Sequence, residues 1–183
     1  MDFIKLGFKH ILGGYDHILF VLSLLLVFAG LRTVLKYTLT FTIAHSITLI
    51  LAGSGLLTLS SNIVEPIIAL SIAVLAISTV FFRESKFFKN PNAKLGIIFF
   101  FGLFHGLGFA GLLRDIQITD DKFIASLLSF NIGIEFGQLF IVALALPIIY
   151  LFRKKSWYDN LIKVSAVIIS ILALYWMFER IFG

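Results

Sequence analysis

The chain contains no cysteine, so disulfides, thiolate metal sites, iron–sulfur clusters and cysteine nucleophiles are excluded together. Its methionines are Met1 and Met177 alone, which removes a thioether path for copper. Charge is scarce as well. Of the 183 residues only 14% are Asp, Glu, Lys or Arg, and 60% are hydrophobic, against about 25% and 45–50% in an ordinary soluble domain. That balance excludes a soluble fold. The net charge of +5 comes from 15 basic against 10 acidic residues. The bases flank apolar segments and form neither a run nor an aromatic-basic module, so nucleic acid is excluded as a partner and the lipid bilayer takes its place.

What the chain has is long apolar runs. Bounded by charge or glycine, they fall at approximately 10–31, 36–57, 63–82, 95–113, 123–152 and 161–182. At about 20 residues per crossing, six spans use on the order of 120 residues. The whole chain, 1–183, therefore reads as one transmembrane domain, an all-α bundle of six membrane-spanning helices. The fifth run is long enough that it must tilt, kink near Pro147 or extend beyond the bilayer. Asp2 spoils the basic start of a cleavable signal, so the first run reads as a retained helix. Bases on the N-terminal side are Lys5, Lys9, Arg114, Lys122 and Arg180. On the other side lie Arg32, Lys36, Arg83, Lys86, Lys89, Lys94, Arg153, Lys154, Lys155 and Lys163. The excess places both termini outside and the basic loops in the cytoplasm.

Every ionisable group inside a span needs a partner or a task, because insertion costs roughly 2.5–3.5 kcal/mol. The four histidines, His10, His17, His45 and His105, all lie within or at the mouth of these runs. In His10-Ile11-Leu12-Gly13-Gly14-Tyr15-Asp16-His17, a regular helix puts both imidazoles within about 20° on one face, two turns apart. Asp16 points off that face unless Gly13-Gly14 unwinds. Imidazole with carboxylate suits nickel, zinc, cobalt or iron as divalent ions. A capping aspartate beside two interfacial histidines would explain the octapeptide without metal.

In the second run Thr38, Thr42 and His45 form one stripe at i, i+4, i+7, with Ser46 and Thr48 beside it. A hydroxyl there can hold one imidazole nitrogen and so fix which nitrogen offers its lone pair, or it can serve ordinary interhelical bonding. Gly102, Gly106 and Ala110 make a small-residue seam with His105 on its flank, so His105 faces protein. Asn131, Glu135 and Gln138 share one face of the fifth run, roughly opposite the Gly133/Gly137 pair. Glu135, near mid-depth, needs a proton, a base or a cation. Glu65 before Pro66 reads as a helix-start carboxylate, while Glu179, Trp157, Tyr158, Tyr175 and Trp176 read as interfacial. The shared G-x-x-H-x-L-G of 7–13 and 102–108 has no continuation and reads as chance.

Four runs thus bring His10, Asp16, His17, His45, His105 and Glu135 toward one region as metal ligands, supported by Thr42, Ser46, Asn131 and Gln138. The segments that carry them are His10-x3-Gly14-x-Asp16-His17, Phe41-Thr42-Ile43-Ala44-His45-Ser46-Ile47-Thr48-Leu49, Phe101-Gly102-Leu103-Phe104-His105-Gly106-Leu107-Gly108-Phe109-Ala110 and Phe130-Asn131-Ile132-Gly133-Ile134-Glu135-Phe136-Gly137-Gln138. Over nearly the whole chain they resemble the HupE/UreJ family. With Ile11 where proline is usual, and an apolar Ile18-Leu19-Phe20-Val21 run where methionine is usual, the chain looks like its second, divergent branch.

The resemblance implies a multi-pass protein of the cell membrane, the bacterial inner membrane, acting as a secondary permease for a divalent transition metal, nickel foremost. His10, Asp16 and His17 would then be the first contacts, with His45, His105 and Glu135 deeper. The cytoplasmic halves of the runs are almost purely apolar and show no ladder of ligands leading out. An intramembrane hydrolase using zinc held by His and carboxylate groups is therefore the alternative, and b-type haem between His45 and His105 the third reading. Whether the protein forms a homo-oligomer stays open.

Overall fold

The structure is a computed structural model that describes residues 2–27, 30–82, 85–86, 90–109 and 123–183. Its helices are α1 (Phe3–Gly13), α2 (Tyr15–Val27), α3 (Leu31–Gly53), α4 (Ser61–Phe81), α5 (Pro91–Gly108), α6 (Phe123–Phe152) and α7 (Tyr158–Phe182). No strand occurs among the described residues. Helices α3, α4, α6 and α7 are each long and apolar enough to cross a bilayer, and α1 with α2 makes a fifth crossing if that bent pair is one span. In hydrocarbon only a structure that satisfies its own backbone can span, and an all-helical chain does so within each segment. The protein is a multi-pass membrane protein.

Among the described residues seven helices stand where six were expected, because the first apolar run is broken. Helix α1 starts seven residues before the sequence pattern places it, with the Asp2 carboxylate accepting from the Lys5 amide at 3.2 Å. It ends at Gly13, and α2 leaves it at a 72° bend. Gly14 at the break has φ −92° and ψ 104°, extended backbone open to any residue. Its lack of a side chain matters for space instead. A Cβ there would lie 2.7 Å from His17 Nδ1 and 3.0 Å from the His10 carbonyl.

Helix α4 likewise starts earlier than expected, with Ser60 at its N-cap. Glu65 and Pro66 therefore sit in its second turn and not at its start. The fourth predicted run is α5 to Gly108; its remainder, with Ala110, lies outside the described residues, as do Arg83, Lys89, Arg114 and Lys122 of the charge count.

The bundle consists of three close helix pairs, α1 with α6, α3 with α5 and α4 with α7, around α2, which also touches α1, α3, α4, α6 and α7. Glycine makes two of these pairings possible. Gly102 lies so near α3 that a Cβ would come 2.6 Å from the Phe41 carbonyl, and one on Gly106 would run into the His45 carbonyl and the Thr48 hydroxyl. The expected seam is therefore real, and its partner is α3. Between α1 and α6, Gly7 abuts the Phe130 carbonyl and Gly133 the Ile4 carbonyl, while a Cβ on Gly137 would lie 2.8 Å from Ile11 Cβ. Membrane helices associate chiefly through such close packing, since lipid tails supply no hydrophobic drive between them. Helix α2 buries Phe20, Val21, Leu24 and Leu25 almost completely. At its upper end it carries Asp16 and His17 into the middle of the bundle.

Candidate metal centre

The bend at Gly14 decides where the first two histidines meet. They do not share a helical face: His10 stands in the last turn of α1 and His17 in the first turn of α2. The fold nevertheless closes their rings to 4.5 Å between centroids. His17 also stands 5.3 Å from His105 of α5 and 6.3 Å from His45 of α3, and His10 is 6.4 Å from His45. Four helices thus converge on one cluster of imidazoles. Two rings sharing one ion at the usual metal–nitrogen length of about 2.0–2.1 Å have centres roughly 4.5–6.5 Å apart. The spacing here falls in that window. The rings meet edge to face, however, and among the described residues no three His, Asp or Glu side chains stand so that one ion would meet all of them.

The walls are aromatic. Phe109 lies 4.2 Å from His10, Phe41 4.9 Å and Phe20 5.1 Å from His105. Phe20 and Phe41 are themselves 4.5 Å apart. Aromatic rings thus pack directly against His105, and Phe41 also stands 6.0 Å from His45.

Inside these walls the polar atoms are unpartnered. His10 Nε2, both ring nitrogens of His17 and of His45, and His105 Nδ1 are buried with no hydrogen-bond partner among the described residues. An unpaired buried polar group costs about 1–3 kcal/mol, so a core of this kind is costly unless something fills it. Its seventh nitrogen shows the design. His105 Nε2 lies 3.1 Å from the Ser71 hydroxyl of α4, and that hydroxyl donates its single hydrogen to the Ile68 carbonyl at 2.6 Å. Toward His105 it can only accept. Nε2 therefore carries the proton and Nδ1 presents its lone pair to the cluster, the tautomer control by which proteins prepare a histidine ligand. The sequence stripe suggested a hydroxyl in this role, but on the wrong helix: Thr38 donates to the Leu35 carbonyl, Ser46 to the Thr42 carbonyl, and Thr48 to the carbonyls of Ala44 and His45. Ser71 gave no signal in the sequence beyond being a polar residue in an apolar run.

Each carboxylate is held by a group other than an imidazole. The Thr42 hydroxyl lies 2.9 Å from Glu135 Oε2 and 3.3 Å from Gln138 Oε1, with both oxygens as acceptors for it. This triad links α3 to α6 one helical turn from His45. Asn131 is buried beside it along α6, and neither atom of its amide has a partner among the described residues. The Asp16 carboxylate reaches α7, where the Arg180 guanidinium holds Oδ2 at 2.9 Å. In the sequence Arg180 counts only as one of the bases on the N-terminal side. Two turns below His17 on α2, the Ser23 hydroxyl is fully buried with no partner among the described residues. It is a polar point on the side that reads as almost purely apolar.

A stability measurement follows from the unpaired nitrogens. His45→Leu removes two buried, unsatisfied nitrogens from a fully buried position at small change in volume. Metal-free protein in detergent is expected to gain stability by about 1–3 kcal/mol, read as a raised midpoint of thermal unfolding. A lowered midpoint would mean that the imidazole is satisfied in the metal-free state and that the cluster needs no guest.

Compared with known families, residues 1–180 match the family model described as HupE / UreJ protein. Neither the curated proteins nor the solved structures yield a match.

Proposed function

The chain belongs to the HupE/UreJ family, and from that premise we propose that it is a secondary permease for a divalent transition metal ion, nickel foremost, in the bacterial inner membrane. The observation that carries this reading is the broken first span with one histidine on each side of the break. Secondary transporters build their ion sites on discontinuous helices, where half-helix ends and unwound backbone face the cargo. Here the break at Gly14 brings His10 and His17 together and turns both toward His45 and His105.

The path runs from Asp16 at the outer mouth through the four imidazoles to Glu135, with Thr42, Gln138 and Asn131 around it. To share one ion the rings must turn from their present edge-to-face packing, and His105 Nδ1 is already bare. Ser46 supports the path only through the α3 backbone. With α5 taken as a further crossing beside the four long helices and the α1–α2 pair, the proposed topology is six crossings with both termini outside, and Arg32, Lys36, Lys94 and Arg153–Lys155 facing the cytoplasm.

A hydrolytic zinc would need a nearby carboxylate free to move a proton. Asp16 is paired with Arg180 and Glu135 accepts from Thr42, so the geometry favours transport. The test is uptake of radioactive nickel, cobalt, zinc and manganese into proteoliposomes holding the purified protein, with metal analysis of the same sample. Saturable uptake of nickel or cobalt with loosely held metal is expected. Tightly retained zinc without uptake of any ion would overturn the permease reading in favour of the enzyme.

A further inference from the structure

We infer that Arg180 is the residue that sets ion specificity at this site, an inference that rests on the metal-site reading above. Arg180 lies in the last turn of α7, far from the histidines in sequence, yet three groups hold its guanidinium. Nη2 donates to Asp16 Oδ2 at 2.9 Å, Nη1 donates to the Glu65 carbonyl of α4 at 3.1 Å, and the guanidinium carbon stands 5.8 Å from the Trp176 ring centre. The ion pair is largely withdrawn from solvent, with side chains 23% and 24% exposed. This is a fixed partner and not a passing surface contact.

The other oxygen of the same carboxylate is the telling atom. Asp16 Oδ1 is buried and has no partner among the described residues, although Asp16 is adjacent in the chain to His17. A carboxylate with one oxygen clamped and the other bare suits a ligand: the clamp restrains the group and leaves the second oxygen free to bind a guest. The clamp also cancels its charge. With Arg180 in place the Asp16–Arg180 pair contributes no net charge, so a divalent ion must be held chiefly by imidazole nitrogen. That chemistry selects nickel, cobalt and zinc. Without Arg180 the mouth carries a full negative charge and two free carboxylate oxygens, which is what magnesium and manganese require. Arg180 thereby makes the site choose by ligand softness instead of by charge.

The experiment measures binding to full-length purified protein, cobalt by its visible absorption and manganese by loss of the free-ion paramagnetic resonance signal. Wild type is expected to bind cobalt and to bind manganese poorly. Arg180→Gln should raise manganese affinity relative to cobalt by about 10–100-fold, Arg180→Lys should keep the wild-type ratio, and Asp16→Asn combined with Arg180→Gln should restore it. An unchanged ratio in folded Arg180→Gln protein overturns the inference. Should that variant not fold, Asp16→Asn alone decides: with Arg180 left unpaired, cobalt binding should fall by about 10–100-fold, and unaltered binding overturns it. Wild-type protein that binds neither cobalt nor nickel would instead sink the metal-site reading itself, an outcome distinct from both.

Discussion

Replacing His17 with alanine is expected to lower nickel uptake into proteoliposomes by more than about 100-fold while leaving the protein folded. His17 is the ring within contact distance of all three other imidazoles, at 4.5, 5.3 and 6.3 Å, and both its nitrogens are unpartnered among the described residues. Without it, His10 on α1 loses its link to His105 on α5. The loss of side-chain packing is a smaller matter, because unsatisfied nitrogens go with it. Circular dichroism and size exclusion should match wild type.

His105→Ala is expected to act alike, for a second reason. It removes the one nitrogen whose lone pair is fixed in advance by Ser71. Uptake that survives either change would take that residue out of the path.

The second large effect concerns the seam beneath the site. Gly106→Ala adds a single carbon where the His45 carbonyl and the Thr48 hydroxyl already touch the helix. Backbone cannot step aside as a flexible side chain can, so α3 and α5 must separate. Overpacking of this kind costs about 1–3 kcal/mol, and the clash with backbone puts Gly106 at the upper end. The same displacement shifts His45, so metal binding should fall together with thermal stability. Gly96→Ala on the same helix is the control, since a Cβ there meets nothing within 4 Å. Equal unfolding midpoints for the two variants would show that the pairing of α3 with α5 is looser than drawn.

Much of this was legible one residue at a time. Runs of Leu, Ile and Phe announce helices for a bilayer, because no other backbone arrangement except a closed barrel is satisfied there. Gly102 and Gly106 announce a close approach, and an imidazole in an apolar run announces a use for it. Helix starts were read less well. Apolar periodicity says where burial begins, not where the backbone turns, so it places the start of α1 too late, and the octapeptide reads as a helix that Gly13-Gly14 can unwind without saying that it does. The break at Gly14 occurs at ordinary dihedral angles, and nothing local distinguishes it from a glycine tolerated within a helix.

By itself, then, the sequence determined a helical membrane bundle and the set of side chains able to hold a cation, since hydropathy and side-chain chemistry are properties of single residues and short windows. The tertiary structure alone decided how those side chains meet. The partner that sets the His105 tautomer lies 34 positions away, and the guanidinium that clamps Asp16 lies 164 positions away. Such pairings depend on the bend between α1 and α2 and on the register at which α4 and α7 pack against them, and those are settled by the fit of whole helix surfaces, which no window of residues contains.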